Sequence, residues 1–192
     1  MFDSQVLAQL LHLTGVTEED FATLKRTSHI TQQWVDDFAK AFYDILFSYK
    51  PTAAVFKEGE RPAREASLKE WYLLVTSGDV ANRQFWNHQW YVGIIHIPRK
   101  ITNPFMFGMM SRVQQLFLHR CLQECELEEA EATFLAFKRV TDVIAALIAE
   151  SYHINYMSAL EHVAGLRPSL VERMMSLEVD NMVTEARQEL LN

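Results

Sequence analysis

Apolar residues recur every three to four positions along most of this chain, and they rarely alternate one by one. A period near 3.6 residues places them on one face of a helix. The pattern therefore predicts helices almost throughout and no strand. The predicted helices cover about 17–28, 31–49, 63–76, 79–98, 103–126, 129–163 and 168–190.

A few residues mark where these helices begin and end. Thr17 and Asp20 have the spacing of a capping box, which satisfies free backbone N–H groups at a helix start. Pro51 is expected to end the helix before it, and Gly78 to cap the end of another. Asp79 is then expected to cap the start of the next helix.

A Gly–Pro break near the end of the chain predicts two parts. Gly165 interrupts the long penultimate helix, and Pro168 begins the last one. We therefore predict a core domain over residues 1–164 and a helical extension over residues 165–192.

Composition narrows the class of protein. The chain has 192 residues with a formal net charge of −7, so a nucleic acid is not an expected partner. No signal peptide or membrane-spanning apolar run is present, and Cys121 and Cys125 lack the spacing of a disulfide framework. A cytoplasmic protein is expected. Its 12 Phe, 6 Tyr, 4 Trp and 8 Met supply more bulky apolar surface than a plain helical core needs.

The common catalytic motifs do not occur. The chain has no phosphate-binding glycine loop, no nucleophile elbow and no HExxH zinc motif. One Glu-x-x-His pair, Glu150 and His153, falls short of the two pairs and two further Glu of a di-iron bundle. The sequence also shows no polar acid–base pair near His96, the histidine considered next, so we do not expect an enzyme.

His96 is the histidine with an unusual setting. It lies in the last turn of its predicted helix, where Nδ1–H is expected to donate to a carbonyl near Val92 and leave Nε2 free for a metal. Gly93, one turn earlier, is expected to let a flat, bulky group approach. A single histidine among apolar residues is also typical of an ordinary core position, so the residues alone leave haem and core packing open.

Four segments together resemble the globin-coupled sensor and protoglobin family. Val92 to His96, followed by Ile101, Pro104 and Phe105 to Gly108, is similar to the proximal-histidine motif. Phe42–Tyr43, 53 residues before the histidine, resembles the pair carrying the distal tyrosine; Ser67 to Trp71 and Thr141 to Tyr152 resemble two further globin helices. Pro98 departs from the pattern. The resemblance implies an all-α, globin-like three-over-three sandwich of about seven to eight helices, with an extra C-terminal helix.

The same resemblance implies a haem-binding globin that senses a diatomic gas, O₂ above all. Its cofactor would be haem b, iron protoporphyrin IX, with His96 as the proximal iron ligand and Tyr43 donating a hydrogen bond to the gas. Tyr43 lies off the main apolar stripe of its helix (Trp34, Phe38, Phe42, Ile45, Tyr49), on a second face with Ala39, Leu46 and Phe47. Further pocket residues would be Phe47, Leu68, Val92, Gly93 and Phe105, with Ser67 as an auxiliary polar group and Arg99 and Lys100 within reach of haem propionates.

The family also implies a homodimer through the last two globin helices, which would pass on the signal. The penultimate helix carries more apolar surface than we expect one small core to bury, at seven residues: Phe134, Phe137, Val140, Ile144, Leu147, Ile148 and Tyr152. The alternative is a haem-free helical signalling scaffold whose Met- and aromatic-rich surfaces bind partner proteins.

Overall fold

A computed structural model describes residues 4–190 as helices joined by short loops, with no strand in that range. The helices are α1 (Ser4–Thr14), α2 (Glu18–Thr31), α3 (Val35–Ser48), α4 (Lys50–Ala53), α5 (Arg61–Thr76), α6 (Arg83–His96), α7 (Asn103–Glu124), α8 (Leu127–Ala164) and α9 (Pro168–Leu190). The predicted all-α class is confirmed.

The sequence pattern did not predict α1 or the single turn α4, and it placed the start of α6 near residue 79, four positions before Arg83. It also indicated a break before Thr31, where the structure has a continuing turn. α2 runs on through Thr31, and a single 3₁₀ turn, Gln32–Trp34, joins it to α3. Pro51 ends α3 as expected, but it also lies in the first turn of α4, a position where its missing N–H costs nothing.

The predicted caps are partly confirmed. The Thr17 backbone N–H donates to the Asp20 carboxylate at 2.8 Å, so the capping box is present. Gly78 adopts a φ of +73° after α5, the left-handed conformation expected of a C-terminal cap. Asp79 was the wrong N-cap: the side chain of Asn82 caps α6 instead, accepting from the Phe85 N–H at 2.8 Å.

Aromatic side chains form the centre of the core. The rings of Phe117 and Phe137 stack with centroids 3.7 Å apart, joining α7 to α8. Tyr72 is fully buried beside them, and its hydroxyl donates to the Thr31 carbonyl at 2.8 Å. A buried hydroxyl without such a partner would be costly, so this bond fixes where α5 meets the end of α2.

Both predicted faces of the α3 segment contribute to the core. In the main stripe, Trp34 and Phe38 are buried, whereas Tyr49 at its end is 58% exposed. Phe42 and Ile45 are partly buried. The second face is also buried, at Ala39, Tyr43 and Leu46. The first half of the predicted stripe is therefore confirmed, and its last turn is wrong.

The apolar residues expected to form a dimer surface on α8 lie largely in the core of a single chain. Phe137, Val140, Ile144 and Leu147 are all fully buried. They cannot contact a second subunit without unfolding, so the prediction is wrong for these four residues. Phe134, Ile148 and Tyr152 are partly buried, and a place for them in a dimer stays a prediction. Apart from Leu127 at the start of the helix, the exposed large apolar residues of α8 lie further along: Ile154, Tyr156, Leu160 and Val163.

The chain divides between Tyr152 and His153 into two compact units. The first holds α1 to α7 and most of α8. The second holds the end of α8 and α9, and α9 leaves Leu170, Met174, Leu177 and Met182 exposed. The predicted division at residue 165 coincides with the end of α8, and an independent domain over 1–164 stays a prediction. None of the described helices meets the length and apolarity needed to cross a bilayer.

Candidate functional site

A half-open cavity of about 630 Å³ lies in the first unit, lined by side chains from α3, α5, α6, α7 and α8. Its volume falls within the range of roughly 300–1,000 Å³ that is usual for small-molecule pockets. Most of its lining is apolar. Six of the residues predicted from the sequence line it: Tyr43, Ser67, Leu68, Val92, His96 and Phe105.

His96 is positioned by the way α6 ends. The Ile101 N–H donates to the His96 carbonyl at 3.2 Å, and the Lys100 N–H donates to the Ile97 carbonyl at 3.0 Å. Lys100 has a φ of +56°, so the two bonds form a Schellman motif with a lysine where glycine is usual. Pro98 fits into this closing turn. The motif satisfies the terminal carbonyls and fixes the backbone that carries His96.

The imidazole of His96 is neutral at ordinary pH. Burial lowers its pKa to about 4, and the nearby positive charge of Arg99 acts in the same direction. Nδ1 lies 3.3 Å from the Met106 sulfur, which replaces the carbonyl near Val92 as its partner. With the proton on Nδ1, the ring donates to this weak acceptor and keeps a free electron pair on Nε2.

Tyr43 enters the cavity from α3 and is held by aromatic neighbours. The rings of Phe42 and Phe56 meet it edge to face, at 5.2 and 5.8 Å between centroids. Burial raises the pKa of its hydroxyl to about 12, so the O–H group stays protonated and can donate. Among residues 4–190 that hydroxyl has no hydrogen-bond partner, and it is available to a molecule in the cavity.

The other predicted pocket residues fall into two groups. Leu68, Val92 and Phe105 contribute apolar lining from three different helices. Ser67 also borders the cavity, but it is exposed, and its hydroxyl donates to the Ala63 carbonyl at 3.1 Å. Its proton is therefore already engaged within α5.

Phe47 and Gly93 do not line the cavity, which corrects the prediction that both face the cofactor. Phe47 stacks on Phe56 with ring centroids 5.1 Å apart. The Arg61 guanidinium lies over the Phe47 ring, 5.3 Å from its centroid. The space over Gly93 is taken by α8: a Cβ added there would lie 2.5 Å from the Ile148 carbonyl oxygen and 2.6 Å from the Ser151 Cβ. Gly93 thus admits a neighbouring helix.

Sequence reasoning missed several lining residues. Gln89 lies two turns before His96 on α6; it is 1% exposed, and its Oε1 has no partner among the described residues. Met106, Met109 and Met110 form a flexible, polarisable wall at the start of α7. The seven-residue spacing of Gln89 from His96 and the helical spacing of the three methionines were the signals available.

Charged side chains also line the cavity, among them Glu70 of α5. Arg64 of α5 and Arg99, just after α6, both line it. Both donate to the carboxylate of Glu60, Arg64 through Nε at 2.9 Å and Arg99 through its two terminal nitrogens. Lys100, the second basic residue predicted at this end, is exposed and is not part of the lining.

Comparison with known proteins places the chain. In a curated relative, an uncharacterised protein of Methanocaldococcus jannaschii, 21% of 106 aligned residues are identical, covering 54% of this chain and 56% of that protein. The chain thus spans little more than half the length of that relative. The globin domain of the Geobacter sulfurreducens globin-coupled sensor matches with a TM-score of 0.70 at 19% identity, over 79% of this chain and 99% of that domain. The expected globin-like fold is confirmed. The family model of protoglobin matches residues 3–158, and the chain belongs to the protoglobin family.

Proposed function

We propose that this protein is a haem-binding globin that binds and senses a diatomic gas, with O₂ as the gas. One observation carries the proposal: a single apolar cavity is lined by both the neutral imidazole of His96 and the unpartnered hydroxyl of Tyr43. A metal ligand and a hydrogen-bond donor that line one apolar space would hold an iron cofactor and stabilise a polarised gas bound to it.

The residues fit haem, and haem b is the type that we propose. An imidazole can ligate iron only through a free electron pair, and burial keeps His96 neutral well below physiological pH. Over residues 4–190 no three His, Cys, Asp or Glu side chains are grouped to hold a metal ion by themselves. A porphyrin that brings four nitrogens of its own needs only one such ligand. When bound, haem would supply the iron on which O₂ binds reversibly.

Tyr43 would provide selectivity among gases. Its O–H donates to a ligand that carries partial negative charge, and O₂ on ferrous iron is more polarised than CO. A hydrogen bond of this kind contributes about 0.5–1.5 kcal/mol, and more when the acceptor is charged. Leu68 and Phe105 would exclude water, which protects the ferrous state.

Sensing would require a route out of the pocket, and a homodimer through the last globin helices is the proposed one. The residues of α8 that support a dimer interface are Ile154, Tyr156 and Leu160, which are 40–51% exposed, and not the buried residues of the core. The role we propose is gas binding and sensing, not catalysis. The exposed apolar residues of α9 favour the alternative, a haem-free scaffold, and the experiment below separates the two.

The test is the absorption spectrum of the purified protein after addition of haemin. We expect a Soret band, a shift on reduction to the ferrous state, and a further shift in O₂ that reverses under argon. A protein that takes up no haemin would contradict the proposal and favour the scaffold. Haem uptake without reversible O₂ binding would contradict the choice of gas alone.

A further inference from the structure

Glu60 forms ion pairs with the two arginines that line the cavity, although it does not line the cavity itself. It lies at the start of α5, its side chain is 13% exposed, and it does not line the cavity. Arg64 and Arg99 do line it, and among the described residues each makes its only ion pair with Glu60. Two guanidinium groups at the cavity wall therefore share one carboxylate as their ion-pair partner.

The surroundings of Glu60 form a built carboxylate site. One oxygen accepts from Arg64 Nε at 2.9 Å and from a terminal nitrogen of Arg99. The other accepts from the second Arg99 nitrogen at 3.2 Å and from the Lys57 backbone N–H at 3.0 Å. The paired Arg99 donors have the fork geometry that recognises carboxylates. These bonds hold the pKa of Glu60 near 2, so it is charged at any physiological pH.

We propose that Arg64 and Arg99 are the binding pair for a carboxylate of the cavity's ligand, and that Glu60 occupies this pair in the unliganded protein and competes for it. The inference rests on the proposed function, since it assigns the recognition of a flat apolar molecule that carries carboxylates. A carboxylate that binds the paired terminal nitrogens of Arg99 displaces Glu60 from that guanidinium, because Glu60 occupies both of them. Glu60 thus lowers the affinity for the ligand while it fixes the loop before α5 to the end of α6.

Metal-free protoporphyrin IX and its dimethyl ester are the probes, because their binding needs no iron–histidine bond. Binding is followed by quenching of tryptophan fluorescence in the full chain. Glu60→Gln should bind the free acid about three- to tenfold more tightly than the wild type, with the ester changed by less than about twofold. Arg99→Gln should weaken binding of the free acid and leave the ester unchanged.

Glu65→Gln is the matched control. Glu65 lies on the same helix and pairs with Arg61 at 2.7 Å, so this variant removes an equal charge without touching Arg64 or Arg99. It should bind both probes as the wild type does. Glu60→Ala, which also removes the bulk of the side chain, should repeat the selective gain.

Three outcomes would overturn the inference. An equal change for acid and ester in Glu60→Gln, or no change in either, contradicts competition by Glu60 and leaves the proposed function standing. A gain of the same size in Glu65→Gln would mean that long-range charge alone is responsible. Absence of binding by both probes to the wild type contradicts the inference and the proposed function together.

Discussion

Burial keeps Tyr43, the proposed donor to the gas, and His96, the proposed iron ligand, in their uncharged forms. Desolvation raises the pKa of the tyrosine to about 12 and lowers that of the histidine to about 4. Between these values Tyr43 is a donor and His96 offers an electron pair. The same apolar lining that would accept a porphyrin thus sets both chemical roles.

Replacing Tyr43 by Phe tests its role as a donor. The variant keeps the ring and its aromatic contacts but loses the hydroxyl, which has no partner elsewhere in residues 4–190. With about 1–2 kcal/mol of stabilisation lost, O₂ should dissociate roughly 5- to 30-fold faster, measured by stopped flow on the ferrous protein. CO dissociation should change much less.

Tyr49→Phe is the control for that measurement, since Tyr49 belongs to the same segment but is 58% exposed. It should leave the O₂ dissociation rate unchanged. Equal rates for Tyr43→Phe and the wild type would remove Tyr43 from the gas site.

At the scale of helices, Gly93 does not line the pocket, and its role is to let α6 and α8 approach each other closely. Gly93 lets α8 lie against α6, and the Ser151 hydroxyl donates to the Trp90 carbonyl at 2.6 Å at the same contact. Ser151 is fully buried. This junction holds the backbone of α6 within one turn of His96, so the packing of α8 supports the geometry of the candidate site.

Gly93→Ala should therefore destabilise the fold. An added Cβ meets the Ile148 carbonyl oxygen at 2.5 Å, and a backbone atom cannot move aside cheaply. We expect a loss of about 1–3 kcal/mol in the free energy of unfolding, measured by urea denaturation.

Gly108 provides a matched comparison on α7. An added Cβ there has no atom within 4 Å, so Gly108→Ala should raise stability by up to about 1 kcal/mol through helix propensity. Equal effects of the two substitutions would contradict the close contact between α6 and α8.

The hydrophobic pattern predicted the helices from α2 onward except the single turn α4, and the family resemblance assigned Tyr43 and His96 to a pocket. Neither predicted which neighbour covers each helix face. Periodicity fixes the side of a helix on which a residue lies, which is why Tyr43 and His96 reach one cavity from α3 and α6. The occupant of the space over Gly93 comes from residues more than fifty positions later in the chain. Likewise, Phe47 follows Tyr43 by one turn yet packs on Phe56. Tertiary packing decides such cases.

At the scale of the whole molecule, the later turns of α8 are the surface through which a signal would leave. The first unit buries the apolar face of α8 up to its end near Tyr152. Beyond that point the apolar residues of the helix are exposed. A dimer formed by the later turns of α8 would cover them and still connect directly to the helix that contacts α6.

Leu160→Glu tests this dimer. Leu160 is 51% exposed on α8, and a charge placed there would be buried unpaired in the proposed interface. The wild type should sediment as a dimer and the variant as a monomer in analytical ultracentrifugation. Leu13→Glu, at a 79% exposed position on α1, should remain dimeric. A monomeric wild type would contradict the dimer.

The central claim is that His96 is the iron ligand in this cavity, and the resonance Raman spectrum of the ferrous, haem-loaded protein tests it most directly. The wild type should show an iron–histidine stretching band, His96→Ala should lose it, and added imidazole should restore an iron–imidazole band. His88, on the same helix, also lines the cavity, so His88→Ala is the control and should keep the wild-type band. An unchanged band in His96→Ala, or its loss in His88→Ala alone, would contradict the account.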